Sequence, residues 1–368
     1  MSKNFPEKKF MELAISLARK SEGKTHPNPC VGAVIVKNGR IVGRGFYSGF
    51  GKDHAEVEAI KDAGSRSRGA DLYVTLEPCQ IYGKTPPCTK AIIESGIKRV
   101  IMGVRDPNPE VSGGGVEELR KNKIEVYENF MENECLNVDR PYHIFYRKKR
   151  PYIHLKWAQS LDGVTALPDG GYLSSEKVLK RVHRQRFISD AILVTSGTIK
   201  RDRPKLNIRL FKKNKKILRV VLDVKGVDSF PEEFLKTAEK DGEIIILRPP
   251  SLKSIVSRIE GENIKTLFFK SSRDYKEMIY ELLKYLRERM IISLYVEAVG
   301  NLSAVLIEEN LVDRISVDVS LMLLGKGNAP PPLGFPLSKK VDFSDCRIEK
   351  AGRDVIFSLE VDGKCLLE

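Results

Sequence analysis

Apolar positions at Phe10, Leu13, Ala14, Leu17 and Ala18 recur every three to four residues, so the chain opens with an amphipathic helix over residues 6–20. Two runs of strand character follow at 31–37 and 40–47, joined by Asn38-Gly39, a dipeptide suited to the positive φ angles of a tight hairpin. A helix is predicted from His54 to about Ala63 with Asp53 as its N-cap, followed by a strand at 70–76 and a helix from Cys88 through Glu94. A strand at 99–104, a helix at 116–123, a strand at 124–128 and a helix over 130–147 complete the first half. Gly113-Gly114-Gly115 reads as a tight turn into a helix rather than a phosphate loop. The pattern restarts at Pro151, with strands at 153–158, 191–194, 218–223, 243–247, 266–269, 293–296 and 314–319 and helices near 174–188, 273–290 and 302–310. Residues 346–361 alternate and read as a closing antiparallel hairpin. Interleaved strands and helices predict α/β layers, and the restart predicts two domains, 1–147 and 148–368, each long enough for its own core.

The composition, 41% hydrophobic and 30% charged, is that of a soluble globular protein. No run approaches the ~20 apolar residues of a membrane span, and the N-terminus lacks an apolar signal core, so a cytoplasmic protein with no membrane partner is expected. Of six cysteines, Cys30, Cys135, Cys346 and Cys365 are scattered without framework spacing, which fits free thiols in a reducing compartment. A net charge of +14 raises nucleic acid as a partner. The basic residues are interleaved with acids over both halves, however, and the densest cluster, Arg147-Lys148-Lys149-Arg150, falls at the predicted linker. A solvated charged surface and a small phosphorylated substrate are the simpler reading, and no nucleic-acid partner is expected.

Chemistry concentrates in three islands, His54-Ala55-Glu56, Pro78-Cys79 and Pro87-Cys88. A catalytic zinc takes about three protein ligands from His and Cys and keeps a tetrahedral position open to water, whose pKa falls to about 7 and which can then attack an amidine-like ring carbon. His54, Cys79 and Cys88 are the expected ligands of a single Zn2+ per chain. The departing amine needs a proton and the attacking water must lose one, so a carboxylate that does not ligate the metal has to stand beside it; Glu56 fits that role. Positions two apart on a helix do not face each other, so His54 and Glu56 converge only if His54 opens the helix. The pattern is that of zinc deaminases acting on an amino-substituted base. Eight residues, Gln80 to Pro87, separate the cysteines in place of the usual C-x-x-C, so a loop is inserted between the ligands. Two plainer arrangements stay open here: a surface histidine with buried thiols, and a closed structural zinc with Cys30 as fourth ligand.

These islands, with His26-Pro27-Asn28-Pro29, Val31-Gly32-Ala33-Val34, Leu76-Glu77-Pro78-Cys79, Thr85-Pro86-Pro87-Cys88 and Asp106-Pro107-Asn108-Pro109, resemble the bifunctional deaminase-reductase family of riboflavin biosynthesis. In the second half the resemblance lies in Lys156-x-Ala158, Ser160-Leu161-Asp162-Gly163, Ala191-Ile192-Leu193-Val194 and Gly197-Thr198 followed by Asp202, Pro204, Leu206 and Arg209. The resemblance implies a cytidine-deaminase-like three-layer α/β/α domain followed by a dihydrofolate-reductase-like α/β domain. The first would deaminate a phosphoribosylated diaminopyrimidinone, and the second would reduce the ribosyl chain to ribityl with NADPH. It further implies Lys156, Asp202 and Glu297 as the polar groups around the reacting ribose. Ala158, Tyr172, Thr198, Asp202 and the segment Val299, Gly300, Asn301, Leu302 and Ser303 would line the cofactor. Asn28 and Lys84 would touch substrate in the first domain, and Arg186, Leu206, Arg209 and Glu297 in the second, two guanidinium groups suiting phosphate.

The chain departs from the family at Glu58 and Gln80-Ile81-Tyr82, and more in the second half, at Tyr172-Leu173-Ser174, Arg203, Ala298-Val299-Gly300 and Ser320-Leu321. A homo-oligomer is the expected assembly. Two other readings stand beside this one: a nucleic-acid base deaminase with a phosphate-binding C-terminal domain, and a deaminase with a non-catalytic C-terminal module.

Overall fold

The computed structural model describes residues 5–83, 85–167, 171–211, 215–253, 259–269, 274–325, 330–341, 343 and 345–361. The chain divides into two compact units, Met1–Lys149 and Arg150–Glu368.

In the first unit, strands β1 (Gly32–Lys37), β2 (Arg40–Phe46), β3 (Asp71–Leu76), β4 (Arg99–Val104) and β5 (Glu125–Tyr127) form a sheet in the order β2-β1-β3-β4-β5. β1 runs antiparallel to β2 and β3, while β3, β4 and β5 are parallel. Helices α1 (Lys8–Ala18), α2 (Ala55–Ala63), α3 (Cys88–Glu94), α4 (Gly114–Lys121), α5 (Glu132–Leu136) and α6 (Arg140–Arg147) surround it.

Three glycines show how the layers close. A Cβ on Gly32 would lie 2.0 Å from the Ala14 carbonyl oxygen of α1, and Cβ atoms on Gly43 and Gly45 would lie 2.3 and 2.1 Å from the Ala59 and Ala55 carbonyl oxygens of α2. Gly45 pairs with Ala33, one residue on from Gly32, so α1 and α2 lie on opposite faces of the sheet. The backbone of α2 therefore rests directly on β2.

Three local expectations are corrected. His54, not Asp53, takes the N-cap position of α2, and the Asp53 carboxylate pairs with Lys61 instead. The helix expected over 130–147 is split, because Asp139 accepts from the Tyr142 N–H (3.3 Å) and caps α6, while Pro141 has no N–H to continue an earlier helix. Gly115 is needed for close packing as well as for the turn, since a Cβ there would meet the Pro78 carbonyl oxygen at 1.9 Å.

The second unit holds β6 (Tyr152–Ser160), β7 (Ala191–Thr195), β8 (Leu218–Leu222), β9 (Ile244–Arg248), β10 (Ile264–Phe268), β11 (Ser293–Glu297), β12 (Arg314–Ser320), β13 (Asp345–Ala351) and β14 (Asp354–Glu360). Their order is β10-β9-β8-β7-β11-β6-β12-β14-β13, parallel from β10 to β12 and closed by the antiparallel hairpin β13-β14. Its helices are α7 (Glu176–Ile188), α8 (Ser196–Asp202), α9 (Glu232–Leu235), α10 (Thr237–Asp241), α11 (Tyr275–Glu288) and α12 (Asn301–Glu308). Alternation sorts the strands onto two cores: Ala191, Leu193, Val220, Leu294 and Val296 pack with α11 and α12, while Ile192, Val194 and Val221 face the other way. Tyr295 faces away from the α11 side and packs with Val178 and Val182 of α7. The short helices α8, α9 and α10 had no periodic signal of their own.

Because β2 and α2 touch through backbone atoms, Gly45→Val should destabilise the first unit by about 1–3 kcal/mol and displace the His54 end of α2. Thermal melting and metal content of the purified protein check this; an unchanged melting temperature would show that the contact relaxes freely.

Candidate zinc and reductase sites

The first site is assembled from a helix cap, a strand end and a helix start. His54 has extended backbone (φ −71°, ψ 162°) at the N-cap of α2. Cys79 follows β3, and Cys88 is the first residue of α3, with Pro87 before it. The Thr89 N–H donates to the Cys79 carbonyl (3.2 Å), fixing the two cysteine segments to each other. His54 Nδ1 lies 3.0 Å from Cys88 Sγ and 3.5 Å from Cys79 Sγ, and the two sulfurs are 3.4 Å apart. Donors at zinc bond lengths of about 2.0–2.3 Å in a tetrahedron stand roughly 3.5–3.8 Å apart, so the donor set fits zinc after a small expansion.

Among the described residues these three form the only group of His, Cys and acidic side chains able to hold a metal. Cys30 instead contacts Thr25 Oγ1 at 3.4 Å, and its N–H donates to Asp139. Three ligands are the complement of a catalytic rather than a closed structural zinc.

Glu56 sits in the first turn of α2 and is 3% exposed. Burial, aided by Cys79 and opposed by His54, pushes its carboxyl up to about 7. A carboxyl near neutrality exchanges protons readily at that pH. Cys79 is drawn down to about 4, first by the hydrogen bond from Cys88 and then by His54 against the cost of burial, while Cys88 is pushed well up.

Asn28 Nδ2 donates to the Tyr47 hydroxyl (2.8 Å), and the Tyr47 ring stands edge-on to His54 with centroids 5.3 Å apart. Sequence reasoning missed Tyr47, whose one cue was an aromatic residue at the end of a strand. A cavity of about 320 Å³ lined by Arg44, Ser48, Lys52, Asp53 and Glu58 opens at the same end of α2. Lys84 lies outside the described residues.

In the second unit, β11 and β6 are in register at Glu297 and Lys156. Arg186 of α7 grips Glu297 with both prongs, Nε to Oε1 at 2.6 Å and Nη2 to Oε2 at 2.8 Å, and donates to the Asn207 carbonyl (3.3 Å). Its guanidinium is thus turned to a carboxylate of its own chain. Burial alone would push the Glu297 carboxyl up, but Arg186 and then Lys156 bring it below its ordinary value.

Ala158 lies two residues beyond Lys156 on the same strand face. Asp202 ends α8, and its carboxylate meets Arg201 (2.7 Å). Leu206 is buried in the core with φ 48°, so only its backbone can face a ligand. Arg209 donates to Asn207 Oδ1 (3.1 Å) and borders a cavity of about 620 Å³ with Lys205, Lys215 and Lys240. Tyr172 is exposed. Thr195 caps the start of α8, its Oγ1 accepting from the Thr198 N–H (3.4 Å) and lying 3.2 Å from the Thr198 hydroxyl. Gly300 (φ 76°) precedes α12, whose first turn holds no acidic residue; its N–H donates to the Pro331 (3.1 Å) and Pro332 (3.0 Å) carbonyls, Leu302 and Ser303 are buried, and Asn301 is exposed.

Residues 151–357 match the RibD C-terminal domain, and residues 6–104 match the cytidine and deoxycytidylate deaminase zinc-binding region. The riboflavin biosynthesis protein RibD of Aquifex aeolicus is 38% identical over 353 residues, which are 95% of this chain and 97% of that protein. The chain belongs to the RibD family. RibD of Escherichia coli is 33% identical over 367 residues, 95% of this chain and 98% of that protein. The crystal structure of the Thermotoga maritima diaminohydroxyphosphoribosylaminopyrimidine deaminase/5-amino-6-(5-phosphoribosylamino)uracil reductase superposes with a TM-score of 0.84 at 35% identity, covering 96% of this chain and 98% of that one. As a RibD-family protein the chain is a bifunctional enzyme of riboflavin biosynthesis, with a zinc-binding, cytidine-deaminase-like domain followed by a reductase domain. A reductase domain over residues 151–357 displaces the readings of this half as a nucleic-acid clamp or a non-catalytic module. No helix among the described residues is long and apolar enough to cross a membrane.

Cys88→Ala should reduce zinc content from about one per chain to near zero by elemental analysis. Since the Cys88 thiol holds its proton well above the ordinary range, metal uptake must release that proton. Zinc affinity should therefore weaken at least about tenfold for each pH unit lowered from 8 to 6, and more steeply toward pH 6, where His54, raised chiefly by its hydrogen bond with Cys79, must also give up a proton; chelator competition measures this. Affinity that is flat over this range would contradict the ligand set.

Proposed function

We propose that the first unit hydrolytically deaminates 2,5-diamino-6-(5-phosphoribosylamino)pyrimidin-4(3H)-one, and that the second reduces the ribosyl side chain of the product to ribityl with NADPH. The observation that carries the first step is the His54, Cys79 and Cys88 cluster with buried Glu56 beside it, in the segment matched by a zinc-binding deaminase region. Zinc held by these three residues supplies Lewis acidity that makes water a nucleophile near neutral pH. Glu56 takes a proton from the attacking water and delivers it to the departing amine, a relay suited to a buried carboxyl beside the metal ligands. Asn28, steadied by Tyr47, orients the pyrimidine, and Lys84 is a further substrate contact that the family resemblance implies.

In the second unit NADPH, when bound, supplies the hydride. Ala158, Tyr172, Thr198, Asp202 and residues 299–303 would hold it, around the C-terminal ends of the neighbouring strands β7, β11 and β6. Lys156 supplies the proton that the new hydroxyl needs as hydride arrives. Glu297, held by Arg186, stays ionised and orients the ribose hydroxyls, and Arg209 receives the phosphate. Free thiols at Cys30 and Cys135, both buried, support a reducing, cytoplasmic compartment.

Glu56→Gln should cut ammonia release by about 10²–10⁴-fold while zinc content and NADPH oxidation with the deaminated intermediate stay at wild-type levels. Elemental analysis and the two separate assays check this. Normal deamination in that variant would refute the assigned relay, and loss of both activities would refute independent sites.

A further inference from the structure

Lys156 has a partner that the sequence reading does not name. β6 and β12 are parallel, with Lys156 opposite Ser316 and Ala158 opposite Asp318, so Asp318 projects from the same face as Lys156, one step further along. Lys156 Nζ lies 3.0 Å from Asp318 Oδ2, and the two side chains are 12% and 3% exposed. Oδ2 accepts no aligned hydrogen bond, so the contact is ionic and leaves the ammonium N–H bonds free to turn toward a ligand. Glu297 is next to Lys156 in register, but both its oxygens are taken by Arg186. The four side chains thus form an alternating row across α7, β11, β6 and β12: Arg186, Glu297, Lys156, Asp318.

We propose that Asp318 is a positioning residue of the reductase site, holding the Lys156 ammonium in place and charged so that it can donate a proton to the ribosyl ring oxygen as the bond from that oxygen to C1′ breaks and hydride arrives at C1′. The inference rests on the reading of Lys156 as that proton donor. A buried ammonium without a counter-ion sheds its proton, and Asp318 is the carboxylate within reach that is not committed elsewhere. Beyond its four members, the titratable or charged groups around this row include Tyr295 of β11, His154 of β6, Arg181 and His183 of α7, Arg314 of β12, and Tyr172 and Arg209.

The test uses the full chain as wild type, Asp318→Asn, Asp318→Glu and Lys156→Met, with the reductase step followed by NADPH oxidation from pH 6 to 10. The Lys156 ammonium is titrated separately by ¹³Cε NMR, its signal identified by its loss in Lys156→Met. Asp318→Asn should move both the alkaline limb of kcat and the Lys156 titration at least one pH unit lower, a loss of about tenfold in rate on that limb. KM for NADPH and the deaminase rate should change less than twofold, and Asp318→Glu should restore most of the shift. An unmoved Lys156 titration in Asp318→Asn overturns the proposal, as does a pH-independent fall in kcat that Asp318→Glu fails to rescue. Full reductase activity in Lys156→Met would instead overturn the reading on which the proposal rests.

Discussion

The contact of α2 with the hairpin β1-β2 is the constraint on which the first unit depends. Gly43 and Gly45 present no side chain to α2, so the helix lies on the sheet with its carbonyl groups against the strand backbone. That seating places the His54 end of the helix beside the end of β3, where Cys79 emerges, and beside the start of α3, where Cys88 sits. A larger residue at either glycine would lift the cap residue away from both sulfurs. Because His54 is the cap and not a residue of the first turn, its ring and the Glu56 carboxylate reach one place although they are two residues apart.

The second unit solves a different problem, that of keeping several charges in a low-dielectric setting. Arg186, Glu297, Lys156 and Asp318 alternate in sign, so each buried charge has an opposite neighbour. Parallel register fixes the spacing: Lys156 aligns with Glu297 on one side, and Asp318 is one step beyond on the other. A bidentate grip removes the freedom of Glu297, whereas the single ionic contact at Lys156 leaves that ammonium able to turn.

Much of this was legible along the chain. Period-two alternation and Asn38-Gly39 located the first hairpin, and apolar runs flanked by polar turns located the strands of both sheets. Helices α8, α9 and α10 were missed because runs of four to seven residues cover too few turns to show a 3.6-residue period. The division of the 130–147 segment was missed because it depends on Asp139, which also receives the Cys30 N–H from a distant part of the chain. Asp318 had only the faint signal of an acid in an otherwise apolar alternation.

The sequence by itself determined the reaction class and the two-part organisation, because zinc chemistry demands particular residue types and strand and helix periods are local properties. Tertiary structure alone decided how those residues are committed. It set Cys30 apart from the metal cluster, turned the Arg186 fork onto Glu297, buried the Leu206 side chain and paired Lys156 with Asp318. These outcomes depend on sheet order and inter-strand register, which bring together residues more than a hundred positions apart and leave no periodic trace in the chain.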